Sequence, residues 1–420
     1  MKNPTRNITL LGGFHQGFHW FSSGLLIPVI TLLQLEKGLT LLQVGLNMAV
    51  YSGVVLILEL PTGGLADTIG RKRVYLLSRV FQIIAGVFFL AAGSFPLVLA
   101  GFAALGVSRA LSSGSMDAYF IDALESAGTG QDLQRPLALM GMFVPLGLAA
   151  GSLLGGWLPM SLGPMMVRYG VGDIYSANVA TALLFTILQL LFTVLVIHEA
   201  PRPGTEEPTK GINRFKTIFL TGIAEGFRNR RVFLLLLTTL AWGLAIAGLE
   251  QLWQPRVKSF LTEDSGTMIF GLLSTGYFAA SALGSLMSIP LSRLLGNRHG
   301  RTMVLLRLIM GGLFILLSRT AAIGSFTVFY LLTFLANGSA ESPHAALFNR
   351  NISANRRATM LSLDSLFLMA GGAVGSLYAG FVAERISIGA SWLIGALILM
   401  VSSALYIPLA LEKKTEEVSE

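Results

Sequence analysis

Long apolar runs separated by short charged turns make up nearly the whole chain. Twelve stretches read as helices able to cross a membrane: 8–33, 41–65, 74–94, 97–124, 136–160, 175–198, 232–257, 267–291, 302–319, 322–348, 358–383 and 389–411. Each approaches or exceeds the ~20 residues that an α-helix needs to span the hydrocarbon core. Lipid satisfies no exposed backbone N–H or C=O, so runs of this length must be helical rather than irregular. Polar residues interrupt a few of them. His15, Gln16 and His19 sit in the first run, and Arg79, Arg109 and Arg307 lie inside others.

Composition agrees. Of the 420 residues 53% are hydrophobic and 12% charged, and the mean hydropathy of +0.68 excludes an ordinary soluble domain. With no cysteine, disulfides and thiolate metal sites are excluded, and neither a metal nor a cofactor is expected. The first run carries histidines and lacks a small-residue cleavage site, so it reads as a retained helix rather than a signal peptide. The net charge of +8 raises the possibility of a nucleic-acid partner, but its distribution argues against one. Only Lys37, Arg168, Arg256, Lys258, Arg319 and Arg385 fall in the turns opposite the N-terminus, and most other bases lie on its side. Such asymmetry predicts a multi-pass protein of the plasma or inner membrane with both termini cytoplasmic, partnered by lipid and acting as a monomer.

The chain repeats itself at an offset of 224. Gly151-Ser152-Leu153-Leu154-Gly155-Gly156 returns as Gly375-Ser376-Leu377-Tyr378-Ala379-Gly380, Gly114-Ser115-Met116-Asp117 as Gly338-Ser339-Ala340-Glu341, and Gly24 as Gly248. This predicts two six-helix halves in parallel repeat, 1–198 and 232–420, with substrate held between them. The joining segment 199–231 opens with Pro201 and Pro203. It then places Ile212, Phe215, Phe219, Ile223 and Phe227 at helical spacing among bases, as an interfacial helix would.

Between the second and third runs stands Gly63-Gly64-Leu65-Ala66-Asp67-Thr68-Ile69-Gly70-Arg71-Lys72-Arg73. It resembles the loop signature of the major facilitator superfamily, Gly-x-x-x-Asp-x-x-Gly-Arg-Lys. The resemblance extends over essentially the whole chain and implies an all-α, twelve-helix fold of two bundles. It further implies a conformational latch made by Gly63, Asp67, Gly70, Arg71 and Lys72, with Asp122 as partner in the Arg71 network and Glu59 in support. The second-half counterpart, Ser292-Arg293-Leu294-Leu295-Gly296-Asn297-Arg298, departs from the motif. Gly147, Gly151, Gly155 and Gly156 form a small-residue ridge for close helix packing, with Gly375 and Gly380 in the second half. The ridge resembles the antiporter signature of drug–proton exporters, with Ser152 in place of its proline. Arg109-Ala110-Leu111-Ser112-Ser113-Gly114 is similar to the fourth-helix signature of proton-coupled exporters, with one extra residue before the glycine.

Carboxylates and imidazoles inside membrane runs are costly enough to be functional candidates. Asp117, Arg109, His15 and His19 are expected to handle the coupling proton. Glu341, Asn337, His344, Glu250, Trp20 and Ser113 are expected to bind substrate, with Asn337, Glu341 and His344 on one helical face. Trp253 is expected to accompany Glu250, and Asp364 lies on the inner half of its run. These residues and the resemblance imply a secondary transporter exporting hydrophobic or cationic small molecules, multidrug-like, in exchange for protons. An importer or facilitator of a polar nutrient is the alternative. A membrane sensor or intramembrane enzyme is more distant, since no His-Glu-x-x-His, Gly-x-Ser-x-Gly or Walker pattern occurs.

Overall fold

The computed structural model describes residues 4–128, 133–199, 224, 228–262, 266–353 and 357–411. Inside helices the surroundings of residues 60, 63, 64, 67, 68 and 358 lie outside that description. The proposed interfacial helix in 212–227 therefore falls almost wholly outside it, as does the side chain of Asp67.

All regular structure among the described residues is helical. In order come α1 (Pro4–Gly24), α2 (Ile30–Glu36), α3 (Leu41–Ile69), α4 (Arg71–Ala91), α5 (Phe95–Ser112), α6 (Ser115–Ser126), α7 (Gln134–Ser161), α8 (Gly163–Arg168) and α9 (Ser176–Val196). They are followed by α10 (Arg230–Lys258), α11 (Met268–Leu294), α12 (His299–Arg319), α13 (Ile323–Arg350), α14 (Arg357–Arg385), α15 (Ile388–Ser403) and α16 (Ile407–Ala410). Among the described residues, eleven spans are long and apolar enough to cross a membrane, with α5 and α6 together forming one of them and α15 and α16 another. The first run does not reach that measure, because its histidines and glutamine dilute it and because it breaks.

Two of the sequence-read helices are discontinuous, each for a local reason. The run 8–33 divides between α1 and α2 around Pro28, whose ring nitrogen cannot donate to the preceding turn. Neighbouring helices take up the freed carbonyls. Asn178 Nδ2 donates to Leu25 O at 2.8 Å, Gln254 Nε2 to Ile27 O at 2.5 Å, and Ser152 Oγ to Gly24 O at 3.4 Å. The run 97–124 divides at Gly114, which sits in the left-handed region at φ 67°, where a side chain would be strained. Asp117 therefore belongs to α6 and not to a continuation of the helix carrying Arg109.

Close helix packing follows small residues, as expected where lipid removes the hydrophobic drive between helices. On α7, Gly147, Gly151 and Gly155 lie against the α1 backbone at Gly17, Phe21 and Leu25. Gly156 lies against Gly271 of α11, 2.7 Å from where its Cβ would stand. On α14, Gly371 and Gly375 lie against Leu240 and Leu244 of α10, while Gly380 lies against Leu41 and Gly45 of α3. Large apolar side chains pack between helices as well, as with Phe314 and Trp392, and many others face outward, as with Leu286 at 73% exposure and Leu195 at 71%. The helix contacts recur in matched pairs: α1–α7 with α10–α14, α3–α5 with α11–α13, α4–α9 with α12–α15, and α3–α14 with α7–α11.

Two ends of the bundle can be told apart. The linker end carries Pro4, Gly70 and Glu199, and the far end carries Glu36, Lys258 and Arg385. At the far end, Thr31 N donates to Gln254 Oε1 at 2.9 Å, Thr31 Oγ1 to Gln251 O at 3.1 Å, and Thr267 Oγ1 to Gly156 O at 2.6 Å. Leu42 N donates to Glu384 Oε2 at 2.7 Å, which places an anion on the free N–H groups that begin α3. These bonds close the far end.

Candidate functional site

Three adjoining cavities between the helices share lining residues. The arginine cavity, about 280 Å³, is lined by His19, Trp20, Arg79, Gln82 and Arg109 together with Met48 and Tyr51. The aspartate cavity, about 140 Å³, shares His19, Trp20, Arg109 and Ser112 with it and adds His15, Gln16, Ser113 and Asp117. The glutamate cavity, about 260 Å³, holds Glu250, Asn337, Trp242, Tyr277 and Ser52, and it too is walled by Met48 and Tyr51. α3 thus presents one Met–Tyr pair to both large cavities.

Arg79 is 1% exposed. Its guanidinium lies 4.8 Å from the Tyr75 ring centroid and donates to Ser78 Oγ at 3.2 Å and Gln189 Oε1 at 3.4 Å. The Arg109 guanidinium stands 5.8 Å from the Trp20 ring centroid. Neither arginine forms an ion pair with a described residue. His15 Nε2 meets Thr193 Oγ1 at 3.1 Å, and His19 Nδ1 meets Tyr75 OH at 3.1 Å, so the two histidines, one turn apart on α1, converge on Tyr75. Gln16 Nε2 donates to Asp117 Oδ1. His15, His19, Arg109 and Asp117 are therefore brought together, with Trp20 and Ser113 beside them.

The predicted second-half residues separate. Asn337 joins Glu250 in the glutamate cavity, whereas Glu341, one turn further toward the linker end, is exposed. His344 turns elsewhere. Its Nδ1 meets Tyr406 OH at 2.8 Å, its Nε2 meets Thr239 Oγ1 at 3.3 Å, and Asp364 Oδ1 lies 4.0 Å away. Thr239 Oγ1 donates to Asp364 Oδ1 at 2.6 Å. Trp253 does not accompany Glu250. It is buried among Phe270 and Tyr330 and takes no part in lining the glutamate cavity.

At the linker end, Arg71 Nη1 pairs with Asp122 Oδ2 at 2.6 Å. Glu199 accepts from Arg71 N at 3.0 Å and from Lys72 N at 2.9 Å, satisfying free N–H groups where α4 begins. Gly70, at φ 101°, is required twice over: its backbone is unfavourable for a side chain, and a Cβ there would stand 2.9 Å from Glu199 Oε2. Glu59 accepts from Ser113 Oγ at 3.2 Å and from Ser365 Oγ at 3.1 Å, so it bridges α5 and α14. In the counterpart turn, Gly296 and Asn297 both take positive φ, the conformation Asn tolerates best among residues with side chains.

Several of these residues escaped the sequence reading. Arg79 had a signal, since an arginine inside an apolar run is costly. Glu199 opens a proline-rich linker and gives no hint that it caps a helix far away in the chain. Tyr51, Tyr75 and Tyr277 are ordinary members of apolar runs.

Known proteins share this architecture. The nucleoside transporter NupG superposes with a TM-score of 0.75 at 14% identity, covering 97% of this chain and 100% of that one. A bacterial homologue of the human lysosomal transporter Spinster, in an inward-facing and occupied conformation, gives 0.75 at 13% identity, covering 98% and 97%. A peptide transporter variant in complex with alafosfalin gives 0.70 at 15% identity, covering 96% of each. At such identities the likeness concerns the fold alone. In sequence, the chain is 26% identical over 267 residues to the uncharacterized MFS-type transporter YxaM of Bacillus subtilis, a match covering 62% of this chain and 61% of that relative. The Major Facilitator Superfamily profile matches residues 13–335, well over half of the sequence. With eleven membrane-spanning candidates and only helical regular structure among the described residues, this multi-pass membrane protein belongs to the Major Facilitator Superfamily of transporters.

Proposed function

We propose that the chain is a proton-coupled secondary transporter of twelve crossings in two six-helix repeats, exporting small amphipathic molecules by alternating access from a plasma or inner membrane with both termini cytoplasmic. The matched helix contacts and the glycine ridges on α7 and α14 support the two-repeat reading. α1 and α2 together make the twelfth crossing, broken where its carbonyls are taken up by neighbours. The observation that carries the function is the meeting of two cavities at Met48 and Tyr51, on a helix packed against both proposed repeats. Their aromatic and methionine walls suit an apolar body, and Glu250 suits a cationic group.

Asp117 is the carboxylate we assign to the coupling proton, supported by its place beside His15, His19 and Arg109. Arg109 lines both that cavity and the arginine cavity, so proton and substrate act on one side chain. The far-end bonds close one face and must break for release, and Asp67 is assigned to the latch that closes the linker end in exchange.

The test is a thermal-shift screen of purified protein against an amphiphile panel at several pH values, followed by transport of the hits in proteoliposomes of fixed orientation. Wild type should accumulate hits against their gradient when a pH gradient is imposed, and Asp117→Asn should bind them yet lose accumulation. Equal, gradient-independent movement in both proteins overturns proton coupling in favour of facilitated diffusion. Accumulation driven in the opposite direction makes the chain an importer.

A further inference from the structure

The arginine cavity holds two positive charges for which the transporter reading names no group on the substrate. Arg79 and Arg109 both line it, and among the described residues their hydrogen bonds and ring contacts go to neutral groups: Ser78 Oγ, Gln189 Oε1, Tyr75 and Trp20. Burying a guanidinium inside a membrane helix is costly even on the mildest insertion scale. A second one lining the same cavity adds repulsion. Asp117 lies in the adjoining aspartate cavity, where Gln16 donates to it, and Glu59 is held by Ser113 and Ser365. Neither carboxylate is within ion-pairing distance of the two guanidinium groups. On the other side of Met48 and Tyr51, Glu250 is the acid of the glutamate cavity. Opposite charges thus face two cavities that share one aromatic–thioether wall.

We propose that Arg79 and Arg109 are an anion subsite, so that the transported molecule is amphoteric: its carboxylate lies in the arginine cavity and its ammonium group at Glu250, with the apolar body against Met48, Tyr51 and Trp20. This rests on the transporter reading and narrows its substrate class. Arginine suits the role because its planar fork donates two parallel bonds to a carboxylate. The cavities, about 280 and 260 Å³, fall at the small end of ligand sites, which favours a compact aromatic or branched zwitterion over a bulky one.

The experiment compares three probes with one phenylene body: 3-[4-(2-aminoethyl)phenyl]propanoate, a zwitterion at neutral pH with its charges at opposite ends, 2-(4-ethylphenyl)ethylamine, which lacks the carboxylate, and 3-(4-ethylphenyl)propanoate, which lacks the amine. Binding to purified protein in detergent is measured by equilibrium dialysis. Wild type should bind the zwitterion about tenfold to a hundredfold more tightly than either analogue, the range expected for loss of one charged hydrogen-bonded pair. Arg109→Gln should erase the preference over the amine, Arg109→Lys should restore part of it, and Glu250→Gln should erase the preference over the propanoate. Arg79→Gln should act as Arg109→Gln does where it remains monodisperse, and the Arg109 pair decides the matter where it does not. Equal binding of amine and zwitterion, an unchanged zwitterion affinity in Arg109→Gln, or no binding of any probe to folded wild type would overturn the proposal. Binding is read without a gradient. A failure of proton coupling therefore leaves this result standing, and a failure of charge preference leaves transport standing.

Discussion

The arginine cavity and the glutamate cavity share Met48 and Tyr51 and differ in how they hold charge. On the α1–α4–α5 side the cations are propped by neutral partners, and the nearby acid, Asp117, is engaged by Gln16. On the α10–α11–α14 side the pattern is inverted. Glu250 faces the cavity, while the buried Arg307 stacks 4.9 Å from the Trp242 ring centroid, and Asp364 and His344 are tied to Thr239 and Tyr406. Repetition of the backbone has not been matched by repetition of the chemistry. Two sets of helices with corresponding contacts present different charges to two adjoining cavities, and under the proposed function that asymmetry would orient a ligand.

The strongest way to break this comparison is to reverse one side of it. Glu250→Lys would make both cavities basic and should lower the affinity for any cationic hit by more than about a hundredfold, since an opposite charge is replaced by a like one in a poorly screened site. Unchanged binding by equilibrium dialysis would remove Glu250 from the site. Next in size is a contrast between acids. Asp117→Asn should lose nearly all gradient-driven accumulation in proteoliposomes, whereas Asp364→Asn, whose partners are Thr239 and His344, should retain at least about a third of it; equal losses would spread coupling over both sides. A smaller effect is expected at the far end. Gln254→Leu removes the bonds to Thr31 N and Ile27 O, each worth about 0.6 kcal/mol on average between membrane helices. It should raise thiol labelling of a cysteine placed at Leu39, in a chain with no native cysteine to interfere. The mildest is Trp20→Phe, which weakens the ring beneath Arg109. A cation–π contact of about 0.5–2 kcal/mol predicts a few-fold loss of affinity, while Trp253→Phe, in the packed core, should leave affinity unchanged and lower the melting temperature instead.

Legibility differed between elements for physical reasons. Apolar runs of membrane length name their own helices, because no other structure satisfies the backbone in lipid. The break at Pro28 also had a local cause, a missing N–H, yet whether it would kink or divide the helix depended on Asn178, Gln254 and Ser152 lying within reach. The glycine ridge was legible as a packing surface. Its division of labour was not: three glycines of α7 pack against α1 and the fourth against α11, which is a fact about which helices meet. The pairing of Arg71 with Asp122 followed from a familiar motif, while the Glu199 cap on α4 joins residues too far apart in the chain for any local pattern to link them.

By itself the sequence determined an all-helical membrane protein, the repeat at a fixed offset, the family-specific turn and the short roster of polar residues inside apolar runs. Those properties are local or periodic, written in the identity and spacing of neighbours. The tertiary structure alone decided which of the polar residues share a cavity. Asp117 meets Gln16 and not Arg109, His344 turns to Asp364 and not to Glu341, Trp253 enters the core, and Arg79 joins Arg109 across two helices. Helix rotation and crossing set those meetings, and both are fixed by small-residue contacts between segments distant in sequence.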